Sequence, residues 1–293
     1  SYAEAQLLAA DMSFDKKDYK KSKMHALQSL YMPSARRNAA YNLLALSYHH
    51  LGVNDSSDYY GELGLNAFPF DALLAYNRGI VLNARGQWSM ALDYFFKAIR
   101  LKPNFGSAHF MAGYLAIRAD RPVQAMMAWG FYVLTVDDKL DVVRDMEKIS
   151  ALQLDLDEED KIDHLGVPNA FVGLDKRFYN GEALKKGFEV GVKMDYAFVK
   201  QFRFIMNQMA SIKDENDPFY RHYAAFYKQL AEANLFEPFV REMISEAEDK
   251  KNSKWLQKNR DAVKAMYTLG GTHANKLMDR QQFTYRGQQY DLE

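Results

Sequence analysis

Small, aromatic and apolar residues alternate with polar ones at helical spacing between positions 70 and 105, a stretch that reads FDALLAYNRGIVLNARGQWSMALDYFFKAIRLKPNF. Gly79 and Ala91 are small enough to let two helices pack closely, and Phe95 can fill the space between them. Gly86 can take the left-handed conformation that ends a helix, and Pro103 ends a second helix because it has no N–H to donate. The pattern predicts a hairpin of two helices with its turn at Gly86.

The same residue types return after 34 residues in both directions along the chain. The aligned pairs are Gly52 with Gly86, Pro69 with Pro103, Gly79 with Gly113, Ala91 with Ala125, and Phe95 with Trp129. Such a period is typical of proteins in which each helical hairpin buries its apolar face only by stacking on its neighbours. The repeats are clearest over 37–138, and a more divergent one covers about 3–36, where Asp18 and Tyr19 mark the start of a second helix.

This period and these residue types resemble the tetratricopeptide repeat (TPR) family. The resemblance implies an all-α fold, a right-handed α-solenoid of helical hairpins, with about four repeats in an array over 1–138. It also implies that the first helices of successive repeats line a concave groove that grips an extended peptide or a helix of a protein partner.

The family's groove positions fall on ten residues of this chain, taken from its second, third and fourth repeats. They are Asn42, Leu46, His49, Tyr76, Ile80, Asn83, Phe110, Tyr114, Ile117 and Arg118. The apolar and aromatic residues of this set can anchor side chains of a partner, and its amides can form hydrogen bonds to the partner's backbone. Stacked repeats often bury part of their own groove, so the alternative is that the second half of the chain covers some of these positions.

The 34-residue period fades beyond Asp137, although helical periodicity returns later. We expect a linking helix and loop over 139–180, with the turn-rich stretch 166–181 as the boundary between two halves. Divergent TPR-like helices are expected over 181–270. The predicted helices cover 181–192, 194–211, 219–233, 235–248 and 254–269, the third starting at Asp217 and Pro218 and the last ending at Gly270 and Gly271.

The tail over 271–293 changes its pattern near the end. Residues alternate around Arg286 and Gly287, which predicts a short β-hairpin. An isolated hairpin is only marginally stable in water. It would therefore dock on the chain's own helices, add to a partner's sheet, or be a disordered tail.

Composition removes several classes of function. Lys and Arg total 38 and Asp and Glu total 38, so the net charge is zero, whereas nucleic-acid-binding proteins carry a basic excess. No stretch approaches the roughly 18 apolar residues of a membrane span. Cys is absent, which excludes thiol nucleophiles, disulfides and iron–sulfur clusters.

Motifs for catalysis are missing from the sequence. It contains no HExxH, GxSxG, P-loop or GxGxxG pattern, and its seven His residues lack the spacing of metal ligands. We therefore expect no catalytic residue, no metal and no cofactor, and a protein that is not an enzyme.

These observations favour a non-catalytic scaffold or adaptor that mediates protein–protein interactions in a multiprotein assembly. The start at Ser-Tyr-Ala-Glu and the absence of Cys are expected of an exported bacterial protein whose signal peptide has been removed. The preferred setting is thus the periplasm, in secretion or outer-membrane machinery, associated with a membrane protein complex. Two alternatives are a cytoplasmic peptide-binding adaptor or regulator, and an enzyme or sugar-binding module built on helical repeats.

Overall fold

The computed structural model describes residues 1–33, 36–153, 157–247, 249–278, 283–285 and 288–290. Within these residues there are fifteen α-helices. Contacts divide the chain into two compact units, Ser1–Leu101 and Lys102–Glu293. The domain boundaries expected from the sequence stay predictions.

The first unit consists of six helices that pack as three adjacent hairpins. They are α1 (Tyr2–Asp15), α2 (Tyr19–Leu30), α3 (Arg37–His50), α4 (Asn54–Ala67), α5 (Ala72–Ala84) and α6 (Trp88–Leu101). Each odd-numbered helix pairs with the next helix, and α2 and α4 also pack on the first helix of the following hairpin. The prediction of consecutive helical hairpins is confirmed here.

Small residues at equivalent positions of the second helices allow this close packing. Ser22, Ser57 and Ala91 are fully buried in α2, α4 and α6. The two serines also satisfy their hydroxyl groups, because Ser57 Oγ donates to the carbonyl of Ala45 at 2.8 Å and Ser47 Oγ donates to Ser22 Oγ at 3.0 Å. Small size and internal hydrogen bonding let polar residues occupy a helix interface.

Left-handed residues form the turn of every hairpin in the array, including the first hairpin of the second unit. They are Lys17 (φ 60°), Gly52 (φ 74°), Gly86 (φ 71°) and Asp120 (φ 58°). The residue after each one donates back across the turn, as Gln87 N does to the carbonyl of Leu82 at 2.9 Å. This is the bond pattern of a Schellman helix end. The predicted left-handed conformation of Gly86 is confirmed.

The second unit begins with a hairpin of α7 (Gly106–Arg118) and α8 (Pro122–Tyr132). The remaining helices are α9 (Leu140–Ser150), α10 (Val172–Tyr179), α11 (Ala197–Gln208), α12 (Ala225–Glu232), α13 (Phe236–Met243), α14 (Lys250–Lys258) and α15 (Arg260–Leu277). Their core is aromatic, with Phe202, Tyr223, Phe226, Tyr227 and Phe239 completely or almost completely buried. Burial of such large side chains is the main stabilising term of this unit.

The helix predicted over 181–192 is wrong, since this stretch contains only a short 3-10 turn, Glu182–Leu184. Gly181, Gly187 and Gly191 have φ of 63°, 94° and 79°, which a right-handed helix cannot accommodate. The loop predicted over 166–181 contains helix α10 instead.

The predicted helix end at Gly270 and Gly271 is also wrong, because α15 continues to Leu277. His273 explains the continuation. Its ring is buried, forms a 2.7 Å hydrogen bond to the carbonyl of His222, and packs edge-on against Phe131. These contacts hold the turn after the two glycines in the helix. By contrast, Asp217 caps the start of a helical segment as predicted, since its Oδ1 accepts from Phe219 N at 2.7 Å. This segment begins at Pro218 and continues through a π-helical turn, Tyr220–Ala224, into α12.

Two short strands lie near the end of the chain, Phe283–Tyr285 and Gln288–Tyr290, with Phe283 opposite Tyr290 in antiparallel register. Arg286 and Gly287, on which the predicted turn depends, lie outside the described residues. The docked β-hairpin therefore stays a prediction.

Candidate functional site

The ten predicted groove residues belong to three first helices. Asn42, Leu46 and His49 lie on α3, and Tyr76, Ile80 and Asn83 lie on α5, all in the first unit. The other four, Phe110, Tyr114, Ile117 and Arg118, lie on α7 in the second unit. Each group is described within its own unit.

A row of polar side chains joins α3 to α5 in the first unit. Asn77 Nδ2 donates to Asn42 Oδ1 at 2.8 Å, and Asn38 Nδ2 donates to Asp71 Oδ2 at 2.6 Å. All four side chains are partly exposed. An amide that uses one of its hydrogen-bonding groups for a neighbour can offer the others to a peptide backbone. The row is therefore suited to hold an extended segment across the two helices.

Behind this row, a cavity of about 10 Å³ lies between α3, α4 and α5. Asn42, Leu46, Asn77 and Arg78 are among its lining residues. This volume accepts about one water molecule. A peptide would consequently bind on the outer surface of the helices, since the cavity is too small for its side chains.

Two predicted groove residues carry buried polar atoms without a hydrogen-bond partner in the described part of the chain. They are Nδ1 of His49 and Oδ1 of Asn83, at equivalent positions of α3 and α5. Burial lowers the pKa of His49, and the nearby His50 and Arg85 lower it further, so the ring is neutral at pH 7. Because an unpaired buried polar atom is costly, water or a ligand group is expected to bind there.

A cluster of two arginines and two carboxylates lies next to these atoms. Arg78 and Arg85 both bond the carboxylate of Asp58, Arg85 at 2.7 Å, while Glu62 is 3.9 Å from Arg78. Burial alone would raise the pKa of Asp58, but the two guanidinium groups outweigh burial and the pKa is lowered. Arg85 keeps two buried nitrogens, Nε and Nη2, without a partner among the described residues. These two donors without a partner favour a carbonyl or carboxylate oxygen of a binding partner at this end.

On α7, the predicted residues form a stack along one side of the helix. The rings of Phe110 and Tyr114 are stacked at 6.4 Å, and the guanidinium of Arg118 lies 5.3 Å from the centre of the Tyr114 ring. Trp129 fixes the start of the stack by donating its Nε1 hydrogen to the carbonyl of Phe110 at 3.0 Å. Phe110 and Tyr114 remain partly exposed and could contact a ligand.

The chain itself covers the other end of this stack. Arg118 Nε donates to the carbonyl of Asp160, and Ile162 N donates back to the carbonyl of Arg118 at 2.7 Å. Ile117 is buried, as are Ile162 and Leu165. The alternative that the second half covers part of the groove therefore applies to Ile117 and Arg118, which are engaged within their own unit.

Two buried carboxylates near the N-terminus of α8 were not predicted as site residues. Asp175 accepts from Val123 N at 3.1 Å and from Asn169 Nδ2 at 2.8 Å, and burial raises its pKa to about 7. Asp217 accepts from Gln124 Nε2 and Ala170 N, both at 2.7 Å, and burial raises its pKa as well. Both carboxylates are surrounded by donors, so their evident role is to fasten loops to α8.

The two buried carboxylates differ in how far the sequence indicates them. Asp217 has a local signal, because it stands before Pro218 at a helix start. Asp175 has none, because Val123, which it caps, lies 52 positions earlier. In the part of the chain that the structure describes, no three His, Asp or Glu side chains are grouped to hold a metal ion.

No protein-family model, no curated protein and no solved structure matches this chain. None of the helices in the described residues combines the length and apolar character needed to cross a membrane.

Proposed function

We propose that the chain is a non-catalytic helical-repeat scaffold of the TPR type, which binds a segment of a partner protein along α3 and α5. The amide pair of Asn42 and Asn77 carries this proposal, because it presents hydrogen-bonding groups across two neighbouring first helices. His49 and Asn83 add unpaired polar atoms on the same helices. Tyr76 and Ile80 supply apolar area between them.

We include three features of the fold in the same proposal. They are a right-handed solenoid, membership of the TPR family and a C-terminal β-hairpin. The recurrence of a left-handed turn residue every 34 or 35 positions supports the repeat. The tail would then be a second attachment point, adding to a partner's sheet.

The proposed setting is the bacterial cell envelope, in secretion or outer-membrane machinery. The complete absence of Cys supports it, because a free thiol is a liability where disulfides are formed. A cytoplasmic adaptor is the alternative, and cell fractionation distinguishes the two settings.

Photo-crosslinking tests the proposed binding face. A photoreactive phenylalanine would replace Tyr76 on α5, and in a matched control it would replace Tyr59, which is 58% exposed on α4 of the same unit. The tagged proteins would be irradiated in the native cells and recovered separately from membrane and soluble fractions. We expect a defined adduct from the Tyr76 position in the membrane fraction and little from Tyr59. Equal labelling at both positions, or no adduct, would contradict the binding face. An adduct confined to the soluble cytoplasmic fraction would contradict the envelope setting.

A further inference from the structure

One face of α14 (Lys250–Lys258) consists of lysines only. Successive residues of an α-helix are turned by about 100° around its axis. Four exposed residues of α14 lie within about 100° of one another on this measure, namely Lys250, Lys251, Lys254 and Lys258. We call this surface the lysine face. The helix contains no acidic residue, whereas the whole chain has a net charge of zero.

Contacts on the other side of α14 turn the lysine face outward. Asn252 is 1% exposed, and its Nδ2 donates to the carbonyls of Arg241 at 2.9 Å and Ile244 at 3.3 Å. The ring of Trp255 lies beside Arg241, with 4.8 Å between the guanidinium carbon and the ring centre. These contacts fasten α14 to α13. The lysine face therefore points away from the helix on which α14 packs.

Acidic residues close to α14 in the sequence leave the lysine face unpaired. Asp249 Oδ1 accepts from the first two backbone N–H groups of α14 after its cap, at 2.8 and 3.2 Å, and Glu246 Oε2 accepts from Lys139 N at 3.1 Å. Glu248 lies outside the described residues, and Asp261 follows beyond the helix, on α15. Within the part of the chain that the structure describes, none of the four lysines forms an ion pair or a side-chain hydrogen bond.

The stability of the helix gives no reason for these lysines. Lys250 and Lys251 occupy the first turn, where the positive end of the helix dipole disfavours cations. Lys254 follows Lys250 by four positions, and Lys258 follows Lys254 by four. Like charges at this spacing destabilise a helix. An external anionic partner would relieve both effects, so the arrangement favours binding to one.

The composition of the lysine face selects among anionic partners. Protein–protein interfaces have an apolar core and are depleted in Lys, and the lysine face has no apolar residue. Sites for single-stranded nucleic acid place aromatic rings among the cations, whereas Trp255 packs on Arg241 instead. Lysine is a hydrated point charge without the fork of arginine, which suits many anionic groups spread over a surface. Lipid headgroups form such a surface, and each nearby lysine strengthens binding to it by about fivefold.

We propose that the lysine face of α14 attaches the second unit to the headgroup surface of a membrane that contains anionic phospholipid. The contact is electrostatic and superficial, because the face has no apolar side chain that could enter the hydrocarbon. It uses a helix of the other unit from the α3–α5 row, so its failure would leave the proposed function untouched.

Vesicle sedimentation tests this proposal with the purified 293-residue protein. The vesicles contain phosphatidylcholine with about 30% phosphatidylglycerol, or phosphatidylcholine alone. We expect binding to the anionic vesicles only, and its loss when the ionic strength is raised to about 0.5 M. The triple variant Lys250→Gln, Lys254→Gln and Lys258→Gln should bind them about a hundredfold more weakly.

The matched control changes three exposed lysines of the first unit and has the same net charge as the α14 variant. It is Lys16→Gln with Lys20→Gln and Lys21→Gln, and it should bind the anionic vesicles like the parent. The melting temperature of the α14 variant should equal or slightly exceed that of the parent, because like-charge pairs are removed. Weaker binding would then not result from unfolding.

Several results would overturn the proposal. They are equal binding of the parent to both kinds of vesicle, unchanged binding of the α14 variant, or an equal loss in the two triple variants. Polyglutamate provides a further arm. If it binds the parent as tightly as the anionic vesicles do and the α14 variant loses that binding, the partner is an acidic protein and the assignment to lipid is wrong.

Discussion

The indole ring of Trp129 occupies the place where a β-carbon on Gly113 would stand, and it is held there by the hydrogen bond from its Nε1 to the carbonyl of Phe110. The preceding hairpin has the same relation, since a β-carbon on Gly79 would lie 2.6 Å from Cε1 of Phe95. In both hairpins a large ring on the second helix packs on a glycine of the first. This contact gives a physical reason for the recurrence of a glycine and a large ring at 34-residue spacing in these two hairpins.

Replacement of Gly113 by Ala tests this contact. The added methyl group would overlap the Trp129 ring, and overpacking of a core costs about 1–3 kcal/mol. That cost exceeds the gain of about 1 kcal/mol that Ala normally brings to a helix. We expect the free energy of unfolding in urea to fall. Gly271→Ala is the control, because no atom lies within 4 Å of its β-carbon position in α15 and the substitution should stabilise the protein. Equal effects of the two substitutions would refute the packing argument.

The left-handed turn gives a prediction at Lys17, which has φ 60° although it is not glycine. A side chain in this conformation destabilises the folded protein by roughly 1–2 kcal/mol, and Lys17→Gly would remove that cost. Glycine has more conformational freedom in the unfolded chain, and this offsets about 0.5–1 kcal/mol of the gain. Lys17→Gly should therefore raise the melting temperature slightly. The neighbouring Lys16→Gly should lower it, because Lys16 has φ −79°. A lower melting temperature for Lys17→Gly would contradict the assignment of the turn.

The first unit was largely predictable because its determinants are local. Gly52 and Gly86 mark two turns, and Gly79 opposite Phe95 marks the close contact of α5 with α6. Lys17 and Asp120 adopt the same turn conformation without any such mark, and only their position in the period links them to the glycines.

The second unit was less predictable because its determinants are distant in sequence. The helix after Gly270 and Gly271 depends on His273 and its contact with the carbonyl of His222. Among the predicted site residues, Asn42 and Tyr76 lie on partly exposed helix faces, whereas Arg118 is engaged by Asp160, 42 positions away. Periodicity along one helix carries no information on such a segment.

Buried His109 makes stability depend on pH. Its ring bonds the hydroxyl of Tyr223 at 2.9 Å and the carbonyl of Pro103 at 2.8 Å, and burial lowers its pKa to about 4. The unfolded chain has a His pKa near 6.5, so it binds a proton first as the pH falls. The contribution of His109 to stability is complete above pH 6.5 and is lost between pH 6.5 and 4, by about 2 kcal/mol at pH 5.

The measurement is urea unfolding at pH 7 and pH 5 for the parent protein and for His109→Gln, which keeps polar groups in the cavity. The variant should be less stable at pH 7 but should lose about 2 kcal/mol less between the two values. An identical pH dependence in both proteins would exclude His109 as the source.

Arg121 fastens the segment that covers the end of α7. It donates to the carbonyls of Val167 at 3.0 Å and Pro168 at 3.2 Å. Arg121→Gln removes this fork, and each hydrogen bond to a charged group is worth about 1.5–3 kcal/mol. We expect faster hydrogen exchange at the amide of Ile162, which bonds Arg118. Arg144→Gln, at an exposed pair with Asp141, is the control. Unchanged exchange in Arg121→Gln would show that Ile162 and Leu165 hold the segment without the arginine.

The most direct measurement of the central claim is peptide binding to the α3–α5 row. Peptides that bind the purified protein would be selected from a phage-displayed random library. Calorimetry would then give their affinity for the parent protein and for the double variant Asn42→Ala with Asn77→Ala. Asn104→Ala, at an exposed asparagine, is the control. We predict that the double variant loses about tenfold in affinity or more, because it removes the amides that bridge the two helices, and that Asn104→Ala binds like the parent. Peptides that bind the double variant as tightly as the parent would contradict the account.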